Sequence, residues 1–198
     1  LNVLNEQERQ EIDKLHGNYS VEEIKEFILK NSILSQEDFF TEICFKVEKL
    51  KQEIEDNRRS DKLTFYNENA QNKTPKIEER CRDIILQRLE SRYREVYDFT
   101  KELYEGENRV DINIRYLKDL SFEVQIECKR DDNDNLYIGI ENQLIKKYFS
   151  SGVNYGLYII FYFGIKKNKK LMLEKVKKSL PSGFENKIKI YCIDLTIE

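Results

Sequence analysis

Between residues 110 and 129 apolar side chains recur at alternate positions in two runs. Val110, Ile112, Ile114 and Tyr116 alternate with Asp111, Asn113 and Arg115; Phe122, Val124, Ile126 and Cys128 alternate with Glu123, Gln125, Glu127 and Lys129. Successive side chains of a strand leave opposite faces, so the pattern predicts two β-strands, each with one apolar and one polar face. A short turn at Lys118-Asp119 makes them a hairpin. With the turn centred on either residue, Asp111 comes opposite Ile126 or Glu127. Glu127 and Lys129 are two apart and share a face.

Helical periods surround this hairpin. Ser20 and Glu23 have capping-box spacing, followed by Val21, Ile24, Phe27 and Ile28. Ser35 with Asp38 gives a weaker start to a long helix running to about residue 57, with Phe39, Ile43, Val47, Leu50 and Ile54 on one side. The polar, Asn-rich stretch 58–75 reads as a loop or linker, with Pro75 as first residue of the next helix. That helix carries Ile77, Cys81, Ile84, Ile85 and Leu89 on one face. After the hairpin come an Asp/Asn-rich loop at 131–135, a helix near 138–149 and a buried strand at 157–163. A lysine-rich helix at 171–179 and a strand at 188–195 close the chain. The expected organisation is a helical region at 1–60, a linker at 61–74 and an α/β domain at 75–198.

Composition narrows the function classes. Net charge is −3 over 198 residues, so the whole molecule has no electrostatic footprint for nucleic acid. Binding would need a local patch; Lys129-Arg130, Lys146-Lys147, Lys166-Lys167 with Lys169-Lys170, and Lys175 with Lys177-Lys178 are candidates, and solvated surface lysines are the plainer reading. The four cysteines (Cys44, Cys81, Cys128, Cys192) form no C-x-x-C pair and read as reduced core residues of a cytoplasmic protein. His16 is the only histidine, which leaves zinc sites and His-based catalysis without material. No apolar run is long enough to span a bilayer, and no phosphate-binding glycine loop occurs. The chain begins with Leu1, as expected for a piece of a longer polypeptide.

Chemistry concentrates on the hairpin. Two carboxylates meeting at one spot repel unless a cation lies between them. Oxygen ligands with retained waters suit Mg²⁺, and the Cys128 carbonyl adds a third oxygen. The Lys129 ammonium can help deprotonate an attacking water and stabilise developing negative charge. The competing reading is structural: Glu and Lys two apart are common on the wet face of a strand, and Asp111 could cap a turn.

The run R-V-D-I-N-I, V-Q-I-E-C-K-R, I-E-N-Q-L-I-K-K-Y and Y-G-L-Y-I-I-F-Y-F, from about Pro75 to the C-terminus, resembles the PD-(D/E)XK nuclease superfamily. The helix ahead of it, Glu78-Glu79-Arg80-Cys81-Arg82-Asp83, resembles the E-x-x-C-R-D of a bacterial branch often found as the C-terminal module of larger proteins. The resemblance implies a restriction-endonuclease-like core in αβββαβ order, a mixed central sheet flanked by helices, with the N-terminal helices as an extension. It implies Asp111 and Glu127 as metal ligands, Lys129 as the catalytic lysine, and Glu78 as an acid reaching the metal through water. Gln143, on the next helix, would orient the site or the phosphate backbone. Helix phase favours Glu78 over Glu79, which points away from the apolar face. First-turn charge against the helix dipole explains Glu78 equally well, and a plain surface amide explains Gln143. Val110 stands where the superfamily name has Pro, and Tyr148 lies one residue too far from Gln143 for a Q-x-x-x-Y motif.

The expectation is therefore Mg²⁺-dependent hydrolysis of nucleic acid, double-stranded DNA first, with Mn²⁺ able to substitute, in bacterial defence or DNA processing. The alternative is a catalytically silent nuclease-fold module that binds nucleic acid or protein. A homo-oligomer built on the Phe39–Ile54 stripe is compatible with the pattern, and core packing of the stripe against the nuclease domain explains it equally well; a membrane partner is not expected.

Overall fold

The computed structural model describes residues 33–197, except 57, 68–72, 106–107, 150–152 and 167. The helix expected at 20–28 and His16 lie outside the described residues. The chain divides into two compact units, Leu1–Leu34 and Ser35–Glu198, and all the described helices and strands belong to the second. Because this unit begins at Ser35, the long helix expected in a separate N-terminal region shares it with the sheet.

That helix, α1 (Gln36–Asp56), starts where Ser35 Oγ accepts the backbone N–H of Asp38 at 3.1 Å. Its stripe of Phe39, Ile43, Val47, Leu50 and Ile54 is fully buried. A short α2 (Arg58–Leu63) follows. The stretch 61–74 is not a free linker. Phe65 and Tyr66 are buried, Tyr66 Oη donates to the Leu195 carbonyl at 2.7 Å, and Tyr66 bridges Pro75. Pro75 is therefore not the first helical residue: its neighbour Lys76 donates its N–H to the Phe65 carbonyl at 2.8 Å, and α3 (Glu78–Tyr93) begins two residues later.

Five strands form one mixed sheet: β1 (Tyr97–Glu105), β2 (Asn108–Tyr116), β3 (Asp119–Arg130), β4 (Gly156–Tyr162) and β5 (Ile188–Asp194). They lie side by side in chain order, antiparallel from β1 to β3 and parallel from β3 to β5. A helix, α4 (Ile140–Tyr148), separates β3 from β4, and α5 (Lys169–Lys178) separates β4 from β5. Parallel neighbours need such crossovers. The molecule is thus α/β, a mixed five-stranded sheet flanked by helices. The αβββαβ order implied a strand ahead of the hairpin, but the alternation of residues did not locate β1, although Tyr97 and Phe99 begin one of their own. No helix among the described residues is long and apolar enough to cross a membrane.

Both faces of the sheet are covered. On one side Ile112, Ile114, Val124, Ile126, Leu157, Ile159 and Phe161 are buried together with the apolar faces of α1 and α3. On the other, Ile140 and Leu144 of α4 and Met172 and Val176 of α5 join Tyr158, Ile160 and Ile188 in a second core. Each fully buried side chain of this size contributes roughly 1.5–3 kcal/mol of transfer free energy. The α4 helix is wound as a π-helix; the N–H of Phe149 reaches the Leu144 carbonyl five residues back.

Candidate active site

Tyr116 pairs with Asp119 across a turn at Leu117-Lys118, and the register then shifts between Arg115 and Tyr116, so that Asn113 pairs with Gln125 and Ile112 with Ile126. The paired register ends at Ile112 and Ile126, one residue short of Asp111 and Glu127, and Asp111 reaches β3 through its side chain instead. In the parallel pairing Glu127 lies beside Tyr158 and Lys129 beside Ile160, on the face that α4 covers. Glu127 and Lys129 are therefore not on a wet strand face; they are 2% and 4% exposed.

The Lys129 ammonium is ion-paired with Glu127, donates to the Cys128 carbonyl at 3.1 Å and lies 3.5 Å from Glu78 Oε1. Burial pushes its pKa down, but Glu127, Glu78 and Asp111 more than offset that and hold it above the ordinary lysine value. Lys129 is thus a protonated ammonium at neutral pH. The Cys128 carbonyl, expected as a metal ligand, already accepts this bond on one side.

Asp111 approaches the same peptide from β2. Its Oδ2 accepts the Cys128 N–H at 2.9 Å and its Oδ1 is 3.2 Å from Arg82 Nη1. Glu78, the first residue of α3, accepts the Arg130 N–H at 2.8 Å and the Asn133 amide at 2.7 Å through Oε2. Its neighbour Glu79 is exposed, as helix phase predicted. Four of the five expected site residues, Asp111, Glu127, Lys129 and Glu78, thus gather around the Cys128–Arg130 backbone.

Gln143 sits on α4 beside Gly139. A Cβ at Gly139 would come within 3.2 Å of Gln143 Oε1 and 2.5 Å of Tyr158 Oη, so glycine lets the helix lie close over β4. Tyr158 donates to the Leu136 carbonyl at 2.8 Å, and burial together with the charges of Glu127 and Glu78 raises its pKa. No described residue bonds Gln143 Oε1, which is buried. The same holds for both amide atoms of Asn113 and for Gln125 Oε1, which extend the polar row beneath α4.

Arg82, Tyr158 and Asn133 were not singled out from the sequence. Arg82 is 2% exposed and also reaches Asp83, 3.3 Å from Nη2, while Asp83 is held by Lys101 at 2.8 Å. Burial opposes ionisation of Asp83, yet Lys101 and Arg82 keep its pKa below the usual aspartate value. The adjacency Arg82-Asp83 was a signal of an ion pair, but nothing in it pointed to Asp111, twenty-nine residues away.

Donor chemistry at the site is hard oxygen throughout, which fits Mg²⁺ or Mn²⁺ with retained waters. Among the described residues no three His, Cys, Asp or Glu side chains are grouped so as to hold a metal alone. A cation here would rest on two carboxylates and the Cys128 carbonyl. All four cysteines are free; Cys81 and Cys128 are buried, and burial raises both thiols.

Comparison with curated proteins and with solved structures yields no match. A family model described as a domain of unknown function, DUF8371, matches residues 38–165. The match runs from the start of α1 past the end of β4 and contains every residue of the candidate site. The chain belongs to the DUF8371 domain family.

Proposed function

We propose that this domain is a divalent-cation-dependent nuclease with a restriction-endonuclease-like core, hydrolysing phosphodiester bonds of nucleic acid, DNA before RNA. The observation that carries the reading is the buried Glu127–Lys129 pair, with Asp111 bonded to the Cys128 N–H between them and Glu78 closing the group from α3. Burying charge is costly, and side chains of similar volume without charge would fill the space at lower cost. Chemistry explains the retention better than stability does. The element order from α3 to β4 (helix, three antiparallel strands, helix, parallel strand) is the order of that superfamily's core, which supports the finer fold reading.

Asp111, Glu127 and the Cys128 carbonyl would hold Mg²⁺, which supplies Lewis acidity toward the phosphate when bound. Glu78 fixes the Arg130 peptide and Asn133, and so the end of β3. Lys129 presents a permanent positive charge to the reacting phosphate and can orient the attacking water. Tyr158, beside Glu127 in the sheet, bounds the site beneath α4, and Gln143 of α4 lies near it at Gly139. The second reading, a catalytically silent module, draws on the internal pairing of these carboxylates.

The test incubates purified protein with plasmid, linear DNA and RNA in Mg²⁺, Mn²⁺ or EDTA, alongside Glu127→Ala and Lys129→Ala. Cleavage that needs the cation and both side chains is expected. Cleavage surviving in EDTA or in either variant refutes the mechanism, and binding without cleavage favours the silent module.

A further inference from the structure

The helix α5 carries five lysines and one glutamate in ten residues, in a chain whose net charge is −3. Packing sorts these charges. Met172 and Val176 are buried in the core that α4 shares, so Lys170, Lys177 and Lys178 leave the far side of the helix and Lys175 its flank. All four are exposed. Lys169 is engaged by Asp194 at 2.7 Å and by the Tyr162 ring. On α1 the cations are matched within the helix, Lys46 by Glu42 and Lys51 by Glu48 and Glu55. No ion pair joins Lys170, Lys175, Lys177 or Lys178 to a carboxylate among the described residues.

Helix stability does not account for this face. Lys175, Lys177 and Lys178 stand in the last turn, where they suit the helix dipole, but Lys170 stands in the first turn, where a cation opposes it and no acidic residue offsets it.

The face also has a defined place. Through Met172 and Val176, α5 lies on the same side of the sheet as α4, Glu127 and Lys129. Lys175 Nζ is 5.9 Å from the centre of the Tyr137 ring. Tyr137 belongs to the segment that carries Asn133, whose amide holds Glu78, and Leu136, whose carbonyl accepts the Tyr158 hydroxyl. The basic face therefore borders the loop beside the candidate site.

At 1.5 Å per residue, Lys170 to Lys178 spans about 12 Å. Duplex DNA carries one negative charge per about 1.7 Å of its axis, so such a face meets several phosphates at once. Flexible ammonium groups suit the backbone, which positions a duplex without reading its sequence. A bilayer fits less well: an interfacial helix inserts its apolar side, and here Met172 and Val176 are already committed to the core.

We propose that Lys170, Lys175, Lys177 and Lys178 form a docking surface for the phosphate backbone of duplex DNA. That the bound duplex serves the neighbouring site rests on the nuclease reading; the binding itself does not.

The experiment follows fluorescence anisotropy of a labelled DNA duplex in EDTA, between about 50 and 200 mM KCl. Wild type is compared with Lys170→Gln/Lys175→Gln and Lys177→Gln/Lys178→Gln. Lys49→Gln/Lys118→Gln removes the same charge from α1 and the hairpin turn, and circular dichroism checks that each variant is folded. Each α5 pair should lower the slope of log affinity against log salt by about 2, at about 0.9 per lysine, while the control keeps the wild-type slope. Wild type that binds no duplex overturns the proposal, and this arm needs no variant to fold. So do folded α5 pairs that match the control. Vesicles of phosphatidylglycerol that bind wild type more tightly than the duplex does, and lose that binding in the α5 pairs, overturn it in favour of a membrane surface. Duplex binding that depends on α5 without cleavage in any cation keeps this surface and removes the nuclease reading. Cation-dependent cleavage with duplex binding indifferent to α5 does the reverse.

Discussion

Glu127 and Lys129 are each buried with a formal charge, and each is the other's nearest compensation. Removing one partner takes from the other its closest counter-charge, at a cost of up to about 3–5 kcal/mol, whereas removing both charges costs far less. Urea unfolding of Glu127→Gln, Lys129→Met and the double variant should therefore show strong non-additivity, the double variant being more stable than the sum of single losses predicts. Additive losses would mean that the pair is not coupled. The types and parity of these residues were legible in the sequence because strand alternation is strict. Their burial was not, since parity assigns a face but says nothing of what covers it. The partner of Asp111 was equally hidden: Arg82 stands beside Asp83 in the chain, and only the packing of α3 against the sheet brings it to β2.

Among the elements, α4 meets the polar row with a wide helical winding and a glycine at its entry. Such windings recur at functional sites. A methyl group at Gly139 would come within 2.5 Å of the Tyr158 hydroxyl, a contact that must be relieved by moving a buried ring. Gly139→Ala should destabilise by about 1–3 kcal/mol. Combined with Tyr158→Phe, which deletes the clashing oxygen, it should cost less than the two changes separately. Thermal melts of the three variants decide it, and a simple sum would place the strain elsewhere. The periodicity from residue 138 announced a helix but could not distinguish windings, because Ile140 and Leu144 share a face in either. The strand β1 escaped for another reason. Tyr97 and Phe99 alternate, but the next positions carry Lys101 and Glu102 and blur the period.

At the scale of the whole molecule, α1 and the segment after α2 are secured to the last strand and its end. The Asp194 N–H donates to Glu55 at 2.7 Å, the Tyr191 hydroxyl to the Cys44 carbonyl at 2.9 Å, and the Tyr66 hydroxyl to Leu195. Asp194 itself accepts Lys169 and both donors of Thr196. Burial opposes its ionisation, but these donors outweigh burial and lower its pKa. The native state therefore binds this proton less tightly than the unfolded chain does. Its stabilisation is present above the unfolded value of about 3.9 and is lost as pH falls through the lower native value. Melting temperatures between pH 5 and 2 should fall less steeply in Asp194→Asn than in wild type; an unchanged acid slope would exclude Asp194 as a source. None of this was visible in the sequence, where 61–74 resembled a linker because its polarity conceals Phe65 and Tyr66.

The chain-order sheet bears on how the molecule assembles during synthesis. Each strand pairs with its predecessor, so the hairpin and its neighbours can form as soon as they leave the ribosome. The stripe of α1 emerges before the sheet, yet part of its cover, β5, is the last of the five strands to be made. A nascent chain that has completed β4 already holds every residue of the candidate site, while an apolar helix face still awaits its final strand. That interval is when the domain is most open to a chaperone or to aggregation.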